Sequence, residues 1–263
     1  MYKLNEVIKV LEDFAPPAIA AKWDNIGLLL GHGTADVRRV LLALDVTDAV
    51  VAEALELGVC AIISHHPLMR DGVKSISDKT PFGRRFLTLA ENKIAVYSAH
   101  TNLDFCTGGV NDQLFDILEL QSRQSIAEYS PDVFVGRAGT LANEMCLSDF
   151  AVFVQKKLGL PMASYCGDGA ALVRKVGVVG GGGAKEELFQ EALDAGCDTF
   201  VTSDVKYSAA LSAADMGLNL IDATHYATEM VFTNALTALF REKMPNLEVI
   251  VTKINGQVVK VSG

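Results

Sequence analysis

The sequence predicts an α/β fold in which short buried strands alternate with amphipathic helices. Residues 3–15 have apolar side chains at helical spacing, and Pro16 and Pro17 stop this helix. Continuous apolar runs at 40–44 and 59–63 are typical of strands that are buried on both faces. Helices and strands then alternate to the carboxyl terminus, which favours largely parallel strand pairing.

The other elements follow from local signals along the chain. Thr47 can cap a helix because its hydroxyl accepts from the first free backbone N–H groups, and Gly58 ends that helix. The predicted elements beyond the first helix are strands at 40–44, 59–63 and 94–97, a strand and a helix (148–158) within 140–161, and helices over 49–57 and about 228–243.

A repeated unit places polar side chains just past the carboxyl ends of several strands. Residues 53–66 align with 191–204, and residues 91–100 and 213–225 follow the same pattern of helix end, turn and strand. Ligands bind at this edge of open α/β sheets. Four of the five histidines stand there, namely His65, His66, His100 and His225. The repeat predicts an internally duplicated chain.

The length of 263 residues suits one large domain or two modest lobes, and the repeat favours two lobes. The polar, turn-rich residues 121–132 mark an exit from the first lobe. We predict a first α/β lobe over 1–125, completed by about 223–263, and a second α/β lobe over 126–222. The last segment returns to the first lobe because the repeat brings its histidine back toward the others.

Composition excludes several function classes. There are 23 basic and 32 acidic side chains, with a formal net charge of −9 and no run of Lys and Arg, so direct nucleic-acid binding is not expected. No apolar stretch approaches the ~18 residues of a membrane span, and no signal peptide is visible. Five widely spaced cysteines without a CxxC motif fit reduced thiols. We therefore expect a cytoplasmic protein without a membrane partner.

Two carboxylates accompany the strand-end histidines. Asp104 follows His100 within about one turn, and Glu229 lies four residues after His225, on the same helix face if the helix begins early. Both have plainer interpretations. Asp104 fits a turn or cap, and a carboxylate such as Glu229 is favoured by the dipole at a helix amino terminus.

The pair His65 and His66 extends this set of donors. Adjacent residues of a strand point to opposite sides, so the pair cannot normally bind one ion, but at a strand end it could serve two adjacent ions. Imidazoles and carboxylates together are the ligands of a dinuclear site. Mixed nitrogen and oxygen donors suit Zn, Fe, Mn, Co or Ni rather than Mg or Ca.

Three motifs in this order resemble the Nif-three-like family, also named GTP cyclohydrolase I type 2. They are SHHP at 64–67, HTNLD at 100–104 and DATHYATE at 222–229, supported by WDNIGLLLG at 23–31, LLALDVT at 41–47 and TSDVKY at 202–207. The resemblance implies a toroidal homohexamer of two-lobed subunits with the metals in a cleft between lobes. Some relatives carry a large inserted domain, for which this chain has no room, so it is the short form.

The resemblance also implies two divalent transition-metal ions per subunit. His65 and Asp104 match the ligands of one ion, and His66 and His225 match those of the other. Glu229 matches the residue that bridges both ions. His100 would then be a group beside the metals that faces the substrate.

Two positions depart from the family pattern, and one turn stays open to two interpretations. Ser203 stands where relatives commonly have the glycine of TGD or TGE, and Thr224 stands where many have a glycine. Since glycine gives the backbone room at a strand end, the wall of the cleft is expected to differ. The glycine-rich turn 180–183 with Lys185 could cradle a phosphate or could be a tight turn that permits close contact.

The leading hypothesis for function is a metal-dependent hydrolase that acts on GTP or a related nucleotide. The family name implies hydrolytic opening of the guanine ring, with Glu229 at the metals and His100 moving protons, since imidazole titrates near neutral pH. The alternative is a non-enzymatic metal-binding, metal-delivery or regulatory partner protein. No base-reading motif is visible in the sequence.

Overall fold

The structure is a computed structural model that describes residues 1–70 and 72–260. Its strands are β1 (Tyr2–Lys3), β2 (Gly27–Leu30), β3 (Asp36–Val37), β4 (Arg39–Ala43), β5 (Ala61–Ser64), β6 (Ala95–Ser98), β7 (Gln121–Ser130), β8 (Val133–Cys146), β9 (Ser164–Cys166), β10 (Leu172–Val178), β11 (Thr199–Thr202), β12 (Asn219–Asp222) and β13 (Glu248–Val251). Its α-helices are α1 (Leu4–Phe14), α2 (Asp48–Leu57), α3 (Pro81–Glu91), α4 (Thr101–Phe105), α5 (Val110–Ile117), α6 (Leu147–Lys157), α7 (Glu186–Asp194), α8 (Tyr207–Asp215), α9 (His225–Met230) and α10 (Phe232–Lys243).

The chain divides into two compact units, both of α/β type. The first unit comprises Met1–Cys106 and Phe232–Gly256, and the second comprises Thr107–Val231 with the described residues after Gly256. These bounds differ from the predicted lobes over 1–125 with 223–263 and over 126–222. The difference arises because α5 and the first half of β7, which lie before residue 126, belong to the second unit: α5 packs on its sheet and β7 is a strand of that sheet.

The first unit contains a five-stranded sheet in the order β13-β4-β5-β6-β2. Its first four strands are parallel, and β2 pairs antiparallel with β6. Leu41, Ile62 and Val96 are buried in its core together with Ala54 of α2. As predicted, the hydroxyl of Thr47 accepts from the backbone N–H of Val50 and so caps α2.

The second unit contains a six-stranded sheet in the order β7-β8-β10-β11-β12-β9. Its centre, β10-β11-β12, is parallel, while β8 and β9 pair antiparallel on the two sides of this centre. Phe189 of α7 meets Phe200 of β11 edge-on in the core, with ring centroids 5.9 Å apart. Parallel strands in both units confirm the predicted fold class.

Residues 121–132 are not only a turn-rich exit, because most of them form β7. This strand pairs antiparallel with β8 and lies at the edge of the second sheet. Its first five residues are exposed, and only Ile126 and Ala127 are buried. An edge strand with one solvated face can be polar, which explains why its composition resembles that of a loop.

The helix predicted over about 228–243 is two helices. The first, α9, begins at His225 and belongs to the second unit, whereas α10 begins at Phe232 and belongs to the first unit. The apolar face that predicted one helix belongs to α10, where Phe232, Leu236 and Phe240 are buried. No helix within the described residues is long and apolar enough to cross a membrane.

Candidate metal centre

Two neighbouring parallel strands of the first unit deliver its donor side chains. β5 ends at Ser64 and continues directly into His65 and His66, and β6 ends two residues before His100. His100 is the residue that precedes α4, and Asp104 lies in the first turn of that helix. Because β5 and β6 are parallel and adjacent, their carboxyl ends bring these side chains to one edge of the sheet.

We call His65, His66, His100 and Asp104 the first donor group. Ring nitrogens of the three histidines lie within 4.8 Å of one another. The rings of His65 and His66 are tilted by 43° with centroids 5.4 Å apart, so the chain bends at the strand end and turns both toward the same region. Three imidazoles at such spacing could hold a metal ion.

His65 is oriented by the backbone and faces Asp104. Its Nδ1 donates to the carbonyl oxygen of Ala99 over 2.9 Å, because a carbonyl can only accept. A neutral ring in that tautomer has its lone pair on Nε2, which lies 3.4 Å from Oδ1 of Asp104. Two ligands at about 2.1 Å from one tetrahedral ion are separated by about 3.4 Å, so this pair fits a shared divalent cation.

Carboxylates orient the other two histidines of the first donor group. Asp45 accepts from Nδ1 of His66 over 2.8 Å, and Asp24 accepts from Nδ1 of His100 over 2.9 Å. Burial would raise the pKa of Asp24, but hydrogen bonds from His100 and Thr101 outweigh it and lower the pKa to about 2. Such partners fix the tautomer and leave Nε2 for a ligand or a substrate.

The second unit contributes His225 and Glu229, which we call the second donor group. Both lie on α9, and their i,i+4 spacing puts Nε2 of His225 2.8 Å from Oε2 of Glu229. Asp204, just past β11, accepts from Nδ1 of His225 over 2.8 Å. The hydrogen bond with Glu229 acts against the opposing effect of burial, and the pKa of His225 rises to about 9.

The glycine-rich turn 180–183 lies against Glu229. A Cβ at Gly181 would come within 1.9 Å of Oε1 of Glu229, so glycine at this position leaves the carboxylate room that any other residue would take. The N–H groups of Gly180, Gly181 and Gly183 donate to side-chain oxygens of the same unit. These three N–H groups are engaged within the unit, which favours the tight-turn interpretation over a phosphate cradle.

The two departures from the family pattern have different structural consequences. Ser203 is fully buried, and its hydroxyl donates to the carbonyl oxygen of Gly181 over 2.6 Å. Thr224, directly before α9, has a φ of 60°, a conformation that β-branched residues rarely adopt. Its buried hydroxyl has no hydrogen-bond partner among the described residues.

All the predicted site residues lie in one of the two donor groups, four in the first unit and two in the second. Sequence reasoning missed the carboxylates that orient the histidines, namely Asp24, Asp45 and Asp204. A signal was present for two of them, since Asp45 follows a predicted strand and Asp204 aligns with His66 in the repeat.

The comparisons with known proteins agree with the family that the sequence motifs resemble. The model of the Duf34/NIF3 (NGG1p interacting factor 3) family matches residues 2–257. The chain belongs to this family. A relative from Clostridium perfringens named "GTP cyclohydrolase 1 type 2 homolog" is 34% identical over 255 residues, which cover 95% of this chain and 96% of the relative.

Solved structures of Duf34/NIF3 relatives share the whole fold. The Bacillus cereus protein related to NIF3 is similar with a TM-score of 0.92 at 26% identity, over 100% of this chain and 99% of that one.

The similarity to a Bacillus subtilis relative, also named "GTP cyclohydrolase 1 type 2 homolog", extends over 358 residues at 28% identity. That relative contains a segment with no counterpart in the 263 residues of this chain, which confirms the short form.

Proposed function

We propose that this protein binds two divalent transition-metal ions and uses them to hydrolyse GTP or a related nucleotide. The metal ligands in this proposal are His65, His66, Asp104, His225 and Glu229. The observation that carries it is the common orientation of the histidines. Each has Nδ1 held by a carbonyl or carboxylate oxygen, so Nε2 is the ring nitrogen that would bind a metal ion. In His225 this nitrogen lies 2.8 Å from Oε2 of Glu229, the carboxylate that would share the metals.

The donor set fits the proposed cofactor. Nitrogen and oxygen donors together suit Zn, Fe, Mn, Co or Ni, and the 3.4 Å between His65 Nε2 and Asp104 Oδ1 matches two ligands of one ion. Paired divalent ions supply an activated water and polarise a substrate oxygen. The family name of the relatives supports a nucleotide as the substrate.

The residues of the chain have separate tasks in this proposal. Glu229 is 4% exposed, so its carboxylate is held in a place of low dielectric, where a charge interacts strongly with a cation. His100 stays beside the other histidines through its bond to Asp24 and moves protons to or from the substrate at Nε2. The resemblance to the family further supports a homohexamer, which light scattering of the purified protein would test.

Glu229→Gln tests the proposal. We expect metal-loaded wild-type protein to hydrolyse GTP, and we expect Glu229→Gln to lose both this activity and part of its metal. Glu187→Gln removes an exposed carboxylate from the first turn of α7 and should leave both the activity and the metal content unchanged. Metal binding by the wild type without turnover of GTP or other nucleotides would refute the hydrolase and favour a metal-binding or metal-delivery protein.

A further inference from the structure

An open pocket of about 300 Å³ lies beside the first donor group. It is lined by Trp23, Asp24, Asn25, Pro67 and Arg70. This volume is at the small end of ligand sites, which suits a fragment of the size of a nucleobase. Pro67 directly follows His66, and Asp24 holds His100, so the pocket adjoins the histidines within the first unit.

The walls of the pocket are fixed by hydrogen bonds. Both oxygens of Asp24 are engaged, since Oδ1 accepts from His100 and Oδ2 accepts from the backbone and hydroxyl of Thr101. The side chain of Asn25 donates to the carbonyl oxygen of Met69 over 2.7 Å, which ties this segment to the loop that carries Arg70. The pocket is therefore organised without a ligand, and Asp24 positions it.

Two side chains remain to contact a ligand. Trp23 is the one tryptophan of the chain, and 65% of it is exposed although its edge packs on the ring of His100 at 5.8 Å. Arg70 is exposed, and no carboxylate pairs with its guanidinium within residues 1–70 and 72–260. An exposed indole and a guanidinium in one pocket match a planar aromatic ring and an anionic group.

We propose that this pocket is the nucleotide subsite, in which the base stacks on Trp23 and a phosphate binds Arg70. The inference rests on the proposed function and names the side chains that would select its substrate. A base on Trp23 would lie next to His100, and hence beside the first donor group. Trp23 and Arg70 are specificity and positioning residues, whereas bond cleavage is assigned to the donor groups.

Fluorescence titration of the metal-loaded full-length protein tests the subsite directly, because Trp23 is its only indole reporter. We expect guanosine and GTP to quench Trp23 emission and inorganic triphosphate alone to quench it weakly. Trp23→Leu, followed by calorimetry, should weaken guanosine binding about tenfold, and Trp23→Phe should restore most of it, because a phenyl ring still stacks.

Arg70→Gln separates the phosphate from the base. We expect about tenfold weaker GTP binding and unchanged guanosine binding, because a charged hydrogen bond to phosphate is lost. In turnover assays its KM for GTP should rise while kcat changes little. Tyr207→Leu removes an aromatic side chain that is 85% exposed. Arg38→Gln removes an exposed arginine outside the pocket. Both controls should bind like the wild type.

The outcomes separate the subsite from the hydrolase. If guanosine and GTP quench Trp23 but the loaded protein turns over no nucleotide, the proposed hydrolysis is wrong and the subsite stands. If GTP is hydrolysed with the same KM by the wild type, Trp23→Leu and Arg70→Gln, the hydrolysis stands and the subsite is wrong. If neither guanosine nor GTP quenches Trp23 emission, the subsite is also wrong.

Discussion

Gly181→Ala should displace Glu229 without removing any proposed metal ligand. A Cβ at position 181 would lie 1.9 Å from Oε1 of Glu229 and 3.4 Å from Nε2 of His225. Cβ atoms essentially never approach another heavy atom within 3.0 Å, so the carboxylate oxygen must retreat by about 1.1 Å, the difference between the two distances. Since Oε1 is the far end of a flexible side chain, this retreat is compatible with folding.

The size of that displacement sets the expected loss of metal. Metal–ligand distances tolerate deviations of about 0.2 Å, so a carboxylate displaced by five times as much no longer binds in its original geometry. Changes that only reorient a ligand cost about 10–100-fold in metal affinity. We therefore expect Gly181→Ala to bind metal at least about tenfold more weakly than the wild type.

Gly217→Ala is the matched control in the same unit. Gly217 has a φ of +76° against +66° for Gly181, but nothing lies within 4 Å of its added Cβ. Both variants should lose about 1 kcal/mol of unfolding free energy, because alanine is strained at positive φ. Metal per subunit, measured by plasma mass spectrometry, and affinity, measured by competition with a chromophoric chelator, should fall only in Gly181→Ala. Equal metal affinity in both variants would refute the geometry assigned to Glu229.

Three further predictions concern the partners of the histidines and the metals themselves. Asp45→Asn should lower metal affinity about 10–100-fold in the chelator competition, because an amide orients His66 less well, and an unchanged affinity would contradict that role. Thr224→Gly should raise the free energy of unfolding, measured in urea, by about 1 kcal/mol, because the strain at φ 60° is relieved. Thr224→Ala keeps a Cβ and should gain less. A glycine variant that is less stable than the wild type would contradict the strain. Removal of metal with a chelator should lower Tm and re-addition should restore it, because an ion at a hundredfold excess over its Kd stabilises the folded state by about 2.7 kcal/mol, and a Tm independent of metal would count against binding.

The fold could be predicted where local patterns are strong. The apolar run 40–44 corresponds to β4, and the Thr47 cap and Gly58 bound α2 as expected. Prediction failed where contacts with distant parts of the chain determine the secondary structure. The polar residues of β7 form a strand because β8 offers backbone partners, and no local signal marks Val231 as the residue between α9 and α10.

The candidate site shows the same division between local and non-local information. A histidine at a strand end can be predicted from its neighbours in the sequence, as at His65 and His100. The group that holds its ring comes from a distant part of the chain, 76 residues away for His100 and Asp24. Only the fold determines which of many acidic residues reaches an imidazole, so composition and spacing cannot identify these partners.

Ser203 and Thr224, the two departures from the family pattern, show that similar sequence changes can differ in the backbone strain they cause. Both residues stand at strand ends beside the second donor group, so the sequence alone predicts the same effect for each. Ser203 has an ordinary backbone and a satisfied hydroxyl, so the fold accepts it without strain. Thr224 is held at positive φ from both sides, because its N–H donates to Asp222 and its carbonyl accepts from Thr228. The strain follows from how α9 must begin in order to present His225 and Glu229, and strained backbone of this kind is concentrated at functional sites.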